Sequence, residues 1–277
     1  MEKTEGFRGK HLKVFIAFSF ICLLMPGLFS DDLGWKIEKS AHFIIYYQNS
    51  SKDFLDKLED RAEDAYRGIA DELGFFRDQP WLWDKRASIY VFDSKQEYLA
   101  YTGMPEWSGG SARPYEKKVF TYAESYKFFE STLVHELTHL IFHEFIGKDS
   151  LVPLWIDEGA AVYMERLKKS GFLKGGIEAM VKEGKVIPFK EILRVSSKDL
   201  DIDSNRENPV SKAYVDRFYT QSWSMVYFLI KKYDLYRFKQ FAREMRRGMD
   251  FEKSFYRIYS GLKNPEEWEK QWEEFYR

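Results

Sequence analysis

Five consecutive residues, His135-Glu136-Leu137-Thr138-His139, combine the side chains that metal-assisted hydrolysis requires. They lie inside the apolar run STLVHELTHLIFHEF. On an α-helix, residues four apart share a face, so His135 and His139 can present two imidazole nitrogens to one Zn²⁺. Glu136 then stands beside them as a candidate general base. Five residues are a weak pattern until a third ligand is found. The next acidic residues are Glu144, Asp149, Asp157 and Glu158. A zinc site shared by two helices asks for a carboxylate on the second helix facing back to the first, which is where Glu158 falls, in PLWIDEGAAVY. His143, one turn past His139, is expected to pack or hydrogen-bond, because one helix does not easily bring three successive turns to one ion. Asp157 points about 100° away from Glu158 around its helix. It suits either a bond to a histidine N–H or a surface position.

The motif His135-Glu136-x-x-His139, eighteen residues, then Glu158 within Trp155-x-x-Glu158-Gly159-x-Ala161 resembles the gluzincin metallopeptidases, the grouping of thermolysin and the aminopeptidase N-like enzymes. The order of elements around it is similar to the bacterial peptidase MA-like gluzincins: an aromatic strand, a long helix, a second strand, a Gly-Gly turn, then the two motif helices. The resemblance spans roughly residues 43–238, with its sharp motifs within 134–163. A metzincin would instead need histidine at position 145, which is Phe145.

The resemblance implies a zincin-like catalytic domain in which His135, His139 and Glu158 hold one Zn²⁺ with a water in the open position. It implies that Glu136 takes a proton from that water and passes one to the leaving amine. It also implies an oxyanion-binding tyrosine some sixty residues beyond the glutamate ligand. Tyr219, 61 residues on, is the match, with Tyr214 and Tyr227 as rivals. The stretch GGSARPYE is where the fold puts its sheet-edge strand, against which an extended peptide could pair. The aminopeptidases carry a glutamate there that holds a free amino terminus. Residues 109–113 (GGSAR) have none, which favours endopeptidase action. The competing reading is a catalytically idle envelope protein that keeps the fold for binding, and the intact Glu136 speaks against it.

Composition narrows the field. The chain has 277 residues and a net charge of −1, without a basic cluster for nucleic acid. Its 24 Phe, 18 Tyr and 8 Trp are expected chiefly in the core. Lys3, Arg8, Lys10 and Lys13 precede an apolar run at 14–24, then Pro26-Gly27. That run has the length of a signal peptide's hydrophobic region rather than of a spanning helix, which needs about 20 residues. Cleavage near Ser30 would leave a secreted or periplasmic protein. Leu28 is an unusual residue at the −3 position, so an uncleaved anchor tethering the chain to the outer face is the alternative. Cys22 is the only cysteine. A chain cleaved at 30 has no thiolate or disulfide, so a metal must be held by N and O ligands, and His₂Glu favours zinc. The expected partner is a peptide or protein substrate. A membrane-embedded HExxH protease is excluded by the lack of a second spanning run.

The elements that must position these groups read as α+β. Residues 1–30 form the signal or anchor, 31–125 an N-terminal α/β lobe, and 126–277 a helical lobe carrying the site, in one catalytic domain. In the first lobe, strands are expected at the end of 35–47, at 87–92 and at 118–122. A helix at 52–73 is read from Leu55, Leu58, Ala62, Ala65, Ile69 and Leu73, with a serine cap and Gly74 as the stop. A short helix is expected to end near Tyr101. In the second lobe, helices are expected at 126–146, 154–169, 213–232, 235–247, 251–259 and 266–276. Residues 170–209 are expected as a surface excursion with short helical pieces near 189–193.

Overall fold

The computed structural model describes residues 34–75, 81–104, 106, 108–123, 125, 128–147, 151–167, 170–200 and 211–277. The expected signal or anchor at 1–30 and residues 201–210 lie outside the described residues. Among those described, no helix is long and apolar enough to cross a membrane.

The first lobe is a five-stranded sheet in the order β1-β2-β3-β5-β4. β2 (Phe43–Tyr47), β3 (Ala87–Phe92) and β5 (Lys118–Tyr122) run parallel. β1 (Lys36–Lys39) and β4 (Ser111–Arg113) lie antiparallel on the two edges. Alternation decides the faces. Phe43, Ile45, Ala87, Ile89 and Val91 are fully buried beneath α1 (Lys52–Leu73), whose apolar stripe is the one its spacing predicts. Ser51 caps α1 by accepting from the Phe54 N–H at 3.3 Å, and Gly74 closes it in a left-handed conformation. On the other face α2 (Lys95–Thr102) covers a smaller cluster of Phe92, Tyr98, Met104 and Phe120.

The strand expected at the end of 35–47 is β2, and β1 precedes it as the other arm of a hairpin, because Ser40 and His42 bend away to bond Glu63 of α1. The GGSARPYE stretch supplies β4, the edge strand expected of it. Its glycine is required: a Cβ on Gly110 would meet the Phe128 ring at 2.5 Å.

The motif helix begins as a π-helical turn over Phe128–Thr132 and continues as α3 (Leu133–Ile146), so the α-helix proper starts seven residues later than its apolar pattern suggests. α3 is buried on nearly all sides and packs against α1, β4 and α4 (Leu154–Glu165). α4 lies against α7 (Lys212–Tyr233) so closely that a Cβ on Gly159 would collide with the Ser222 carbonyl oxygen. Trp155 fixes the start of α4 among Trp268 and Phe251, with ring centroids at 5.2 and 6.1 Å. These come from α9 (Phe251–Ile258) and α10 (Pro265–Tyr276), which follow α8 (Leu235–Arg246).

One expectation is corrected. Residues 170–182 are a regular helix, α5 (Ser170–Lys182), rather than surface excursion. Its Gly175-Gly176 pair and charges hide a buried stripe at Leu173 and Ile177 that packs toward α7. α6 (Phe189–Ile192) is the short piece anticipated there. Sheet and helices share one continuous apolar cluster, from Phe43 to Tyr276.

Candidate metal centre

Helix α3 sets the two motif histidines one turn apart, with ring centroids 4.9 Å from each other. α4 crosses beside them and brings in Glu158. The Glu158 Oε2 atom lies 3.2 Å from His135 Nε2 and 3.7 Å from His139 Nε2. Four-coordinate zinc with bonds near 2.0–2.1 Å holds its ligand atoms roughly 3.3 Å apart, so the spacing is that of a ligand set. All three residues are fully buried. His135 Nε2, His139 Nε2 and both Glu158 oxygens have no hydrogen-bond partner among the described residues. Buried polar atoms without partners are costly. One atom from each of the three residues, all within 4.8 Å of one another, fits a divalent cation, and the nitrogen and oxygen donors fit zinc.

The electrostatics agree. Burial would strip the proton from His135, but Glu158 and Glu165 more than offset that and push its pKa up to about 10. His139 is raised too: burial opposes the charge, and Asp157 and Glu158 overcome it. Asp157 moves the other way. Burial would raise it, but His139 and His143 hold its carboxyl far below the usual range. The pocket around the imidazoles therefore favours positive charge, as a cation site must.

The far nitrogens of both candidate ligands are held. His139 Nδ1 lies 2.8 Å from Asp157 Oδ1, so Asp157 takes the histidine-bonding role that its position on α4 allowed. His135 Nδ1 lies 3.2 Å from Glu165 Oε2. Glu165 escaped the sequence reading. Its signal was available: seven residues after Glu158 is two helical turns, the same face of α4. His143 is hydrogen-bonded as expected, with Nε2 2.9 Å from Asp157 Oδ2.

The three tyrosines separate cleanly. Tyr214 donates to Glu191 at 2.8 Å on the surface. Tyr227 packs beside Trp223 and Tyr163. Tyr219 is buried on the early turns of α7, where burial and the carboxylates of Glu158 and Glu136 push its pKa well above the ordinary value. Its hydroxyl therefore keeps its proton beside the cluster. Glu136 is also fully buried, on α3 between the two histidines.

A search of curated proteins returned no match for this chain. The family profile described as Peptidase MA superfamily matches residues 81–277, which takes in α3, α4, α7 and every residue of the cluster. With the α+β fold and a His/Glu group able to hold a metal ion, that match shows that the chain belongs to the Peptidase MA superfamily.

Proposed function

We propose that this protein is an exported zinc endopeptidase of the gluzincin type. The observation that carries the reading is the convergence of His135 Nε2, His139 Nε2 and the Glu158 carboxylate, buried without hydrogen-bond partners among the described residues. Zinc bound there supplies Lewis acidity and a water of lowered pKa. Glu136 accepts a proton as water attacks the peptide carbonyl, and returns one to the leaving amine. Tyr219, kept protonated, donates a hydrogen bond to the oxyanion that develops. Glu165 and Asp157 hold the two imidazoles in the tautomer that turns Nε2 inward.

Substrate is received along β4. Hydroxyl groups pin the turn that leads into it: Thr121 donates to the Gly109 carbonyl and Ser108 to that of Gly110, each at 3.0 Å. An extended peptide adds to such an edge by backbone hydrogen bonds, which do not require a chain end. The absence of a glutamate in residues 109–113 supports internal cleavage. The basic lead-in and apolar run at 14–24 support export. Intact protein recovered only from the cytoplasm would reject that part.

The test is metal analysis joined to a casein and peptide-library assay. Wild type should hold one zinc per chain and cleave internally, with loss on chelation. Glu136→Ala should keep zinc and lose ~10²–10⁴ in kcat. Glu158→Ala should lose stoichiometric zinc. Zinc retained in Glu158→Ala would dismantle the ligand set. Equal inactivity of wild type and Glu136→Ala, both carrying zinc, would favour a binding protein. Stepwise N-terminal trimming would replace the endopeptidase reading with an aminopeptidase one.

A further inference from the structure

We propose that His143 is a positioning residue for the metal site, fixing the His139 imidazole through Asp157. The inference rests on the reading that His139 is a zinc ligand. Asp157 is a buried carboxylate shared by two histidines: Oδ1 lies 2.8 Å from His139 Nδ1 and Oδ2 lies 2.9 Å from His143 Nε2. A carboxylate only accepts, so each histidine must donate on the nitrogen facing it. For His139 that turns Nε2 toward Glu158, where a metal ion would take the place of any proton on that nitrogen. With both oxygens engaged, the Asp157 carboxylate cannot rotate without breaking a bond. Without His143, one oxygen would be buried and unsatisfied, and the group would turn toward another donor, carrying His139 with it.

His143 is itself held from two sides. It sits on α3 one turn beyond His139, and the Tyr115 ring meets it edge-on at 5.2 Å. Tyr115 belongs to the 3-10 turn Pro114–Glu116 that directly follows the edge strand β4. Its remaining nitrogen, Nδ1, is buried without a partner among the described residues, so the bond to Asp157 is what orients the ring. His139, His143 and Asp157 also form a compact set of potential ligands, and a second ion is the competing account. Separations of 2.8 and 2.9 Å are hydrogen-bond lengths and leave each nitrogen its proton.

The test measures zinc affinity by chelator competition, with the absorption spectrum of the cobalt-substituted protein and the melting temperature of the metal-free form. His143→Phe keeps the ring and removes the donor. It should bind zinc about 10–100-fold more weakly and alter the cobalt bands. His143→Gln, whose amide can reach Asp157, should recover most of that affinity. Histidine-selective ¹⁵N NMR of the wild-type zinc protein, which needs no variant, should find His143 protonated on Nε2 with a slowly exchanging proton.

Four results would overturn the inference: unchanged affinity and spectrum in a folded His143→Phe, equal weakening in the Phe and Gln variants, His143 protonated on Nδ1, or a second zinc that leaves with His143. None of these readouts depends on hydrolysis. A wild type that binds zinc and cuts nothing would sink the peptidase reading and leave this one standing. A wild type that binds no zinc would remove both.

Discussion

Two histidine–carboxylate clusters sit in this molecule, a partly buried one around Glu63 and a fully buried one around Glu158. In the first, Glu63 Oε1 accepts from Ser40 Oγ at 2.6 Å and from the His42 N–H at 2.9 Å, while Oε2 lies 2.6 Å from His42 Nδ1. The His42 ring stacks on Tyr66, 4.1 Å between centroids. Both carboxylate oxygens are satisfied, and the cluster ties the β1–β2 turn to α1. In the second, which is more deeply buried, both Glu158 oxygens and two imidazole nitrogens have no hydrogen bond among the described residues. Residue type does not separate structure from chemistry here, since both clusters are made of His and Glu. What separates them is whether the buried groups complete one another. A fold can spend its hydrogen bonds on a brace, or withhold them for a ligand.

The contrast can be broken or sharpened by substitution. Tyr219→Phe acts on the unsatisfied cluster at its reacting edge and should lower kcat by ~10²–10³ with zinc content unchanged. Steady-state kinetics beside metal analysis decide it, and unaltered kcat would return Tyr219 to the core. Glu165→Ala removes the bond to His135 Nδ1 and should weaken zinc about 10–100-fold, read by chelator competition. If affinity is unmoved, Glu165 is packing alone.

Gly159→Ala probes how the cluster is assembled. A methyl group there strikes the Ser222 carbonyl of α7, so α4 and α7 must part. Overpacking of this kind costs about 1–3 kcal/mol, and it should lower both melting temperature and zinc affinity. A variant as stable as wild type, with full affinity, would show that the contact is not required.

Glu63→Ala, in the satisfied cluster, should cost about 1–3 kcal/mol by orphaning Ser40 and His42, and leave zinc affinity untouched. It should also change the acid limb of stability. Burial alone would raise the Glu63 carboxyl, but hydrogen bonds from Ser40 and His42 hold it below its ordinary value of 4.5. Its contribution is therefore present above 4.5 and lost as pH falls through the lowered folded value. Denaturation midpoints across that window should fall less steeply in Glu63→Ala. A matching slope would show that Glu63 is not the group responsible.

Much of the fold and the core of the site were legible in the chain, wherever a single element contains its own explanation. The stripe from Leu55 to Leu73, with Ser51 and Gly74 at its ends, specifies α1 by periodicity and capping. Asn264 and Pro265 mark the start of α10 in the same local way. His135 and His139 share a face because of helical geometry alone, and Glu158 could be chosen from four acidic residues by the helix it had to occupy. Sequence reading failed where partners come from elsewhere. α5 is hidden because Gly175-Gly176 masks a stripe whose partners, α7 and α10, lie far along the chain. β1 is not legible in the same way, because the turn that sets it against β2 is held by Glu63, which reaches Ser40 and His42 across 21 to 23 residues.

What the amino-acid sequence determined by itself is the candidate donor set and the helices that carry it, since the histidine pair follows from spacing within α3 and Glu158 from its place on the helix that comes next. Which tyrosine of three stands beside Glu158, which carboxylate braces each histidine, and that His143 shares Asp157 with His139 were decided only by the tertiary structure. Those pairings depend on how closely α4 settles on α7 and where it crosses α3. The close approach is allowed by Gly159, and the start of α4 is fixed by Trp155, far along the chain from the aromatic rings that hold it.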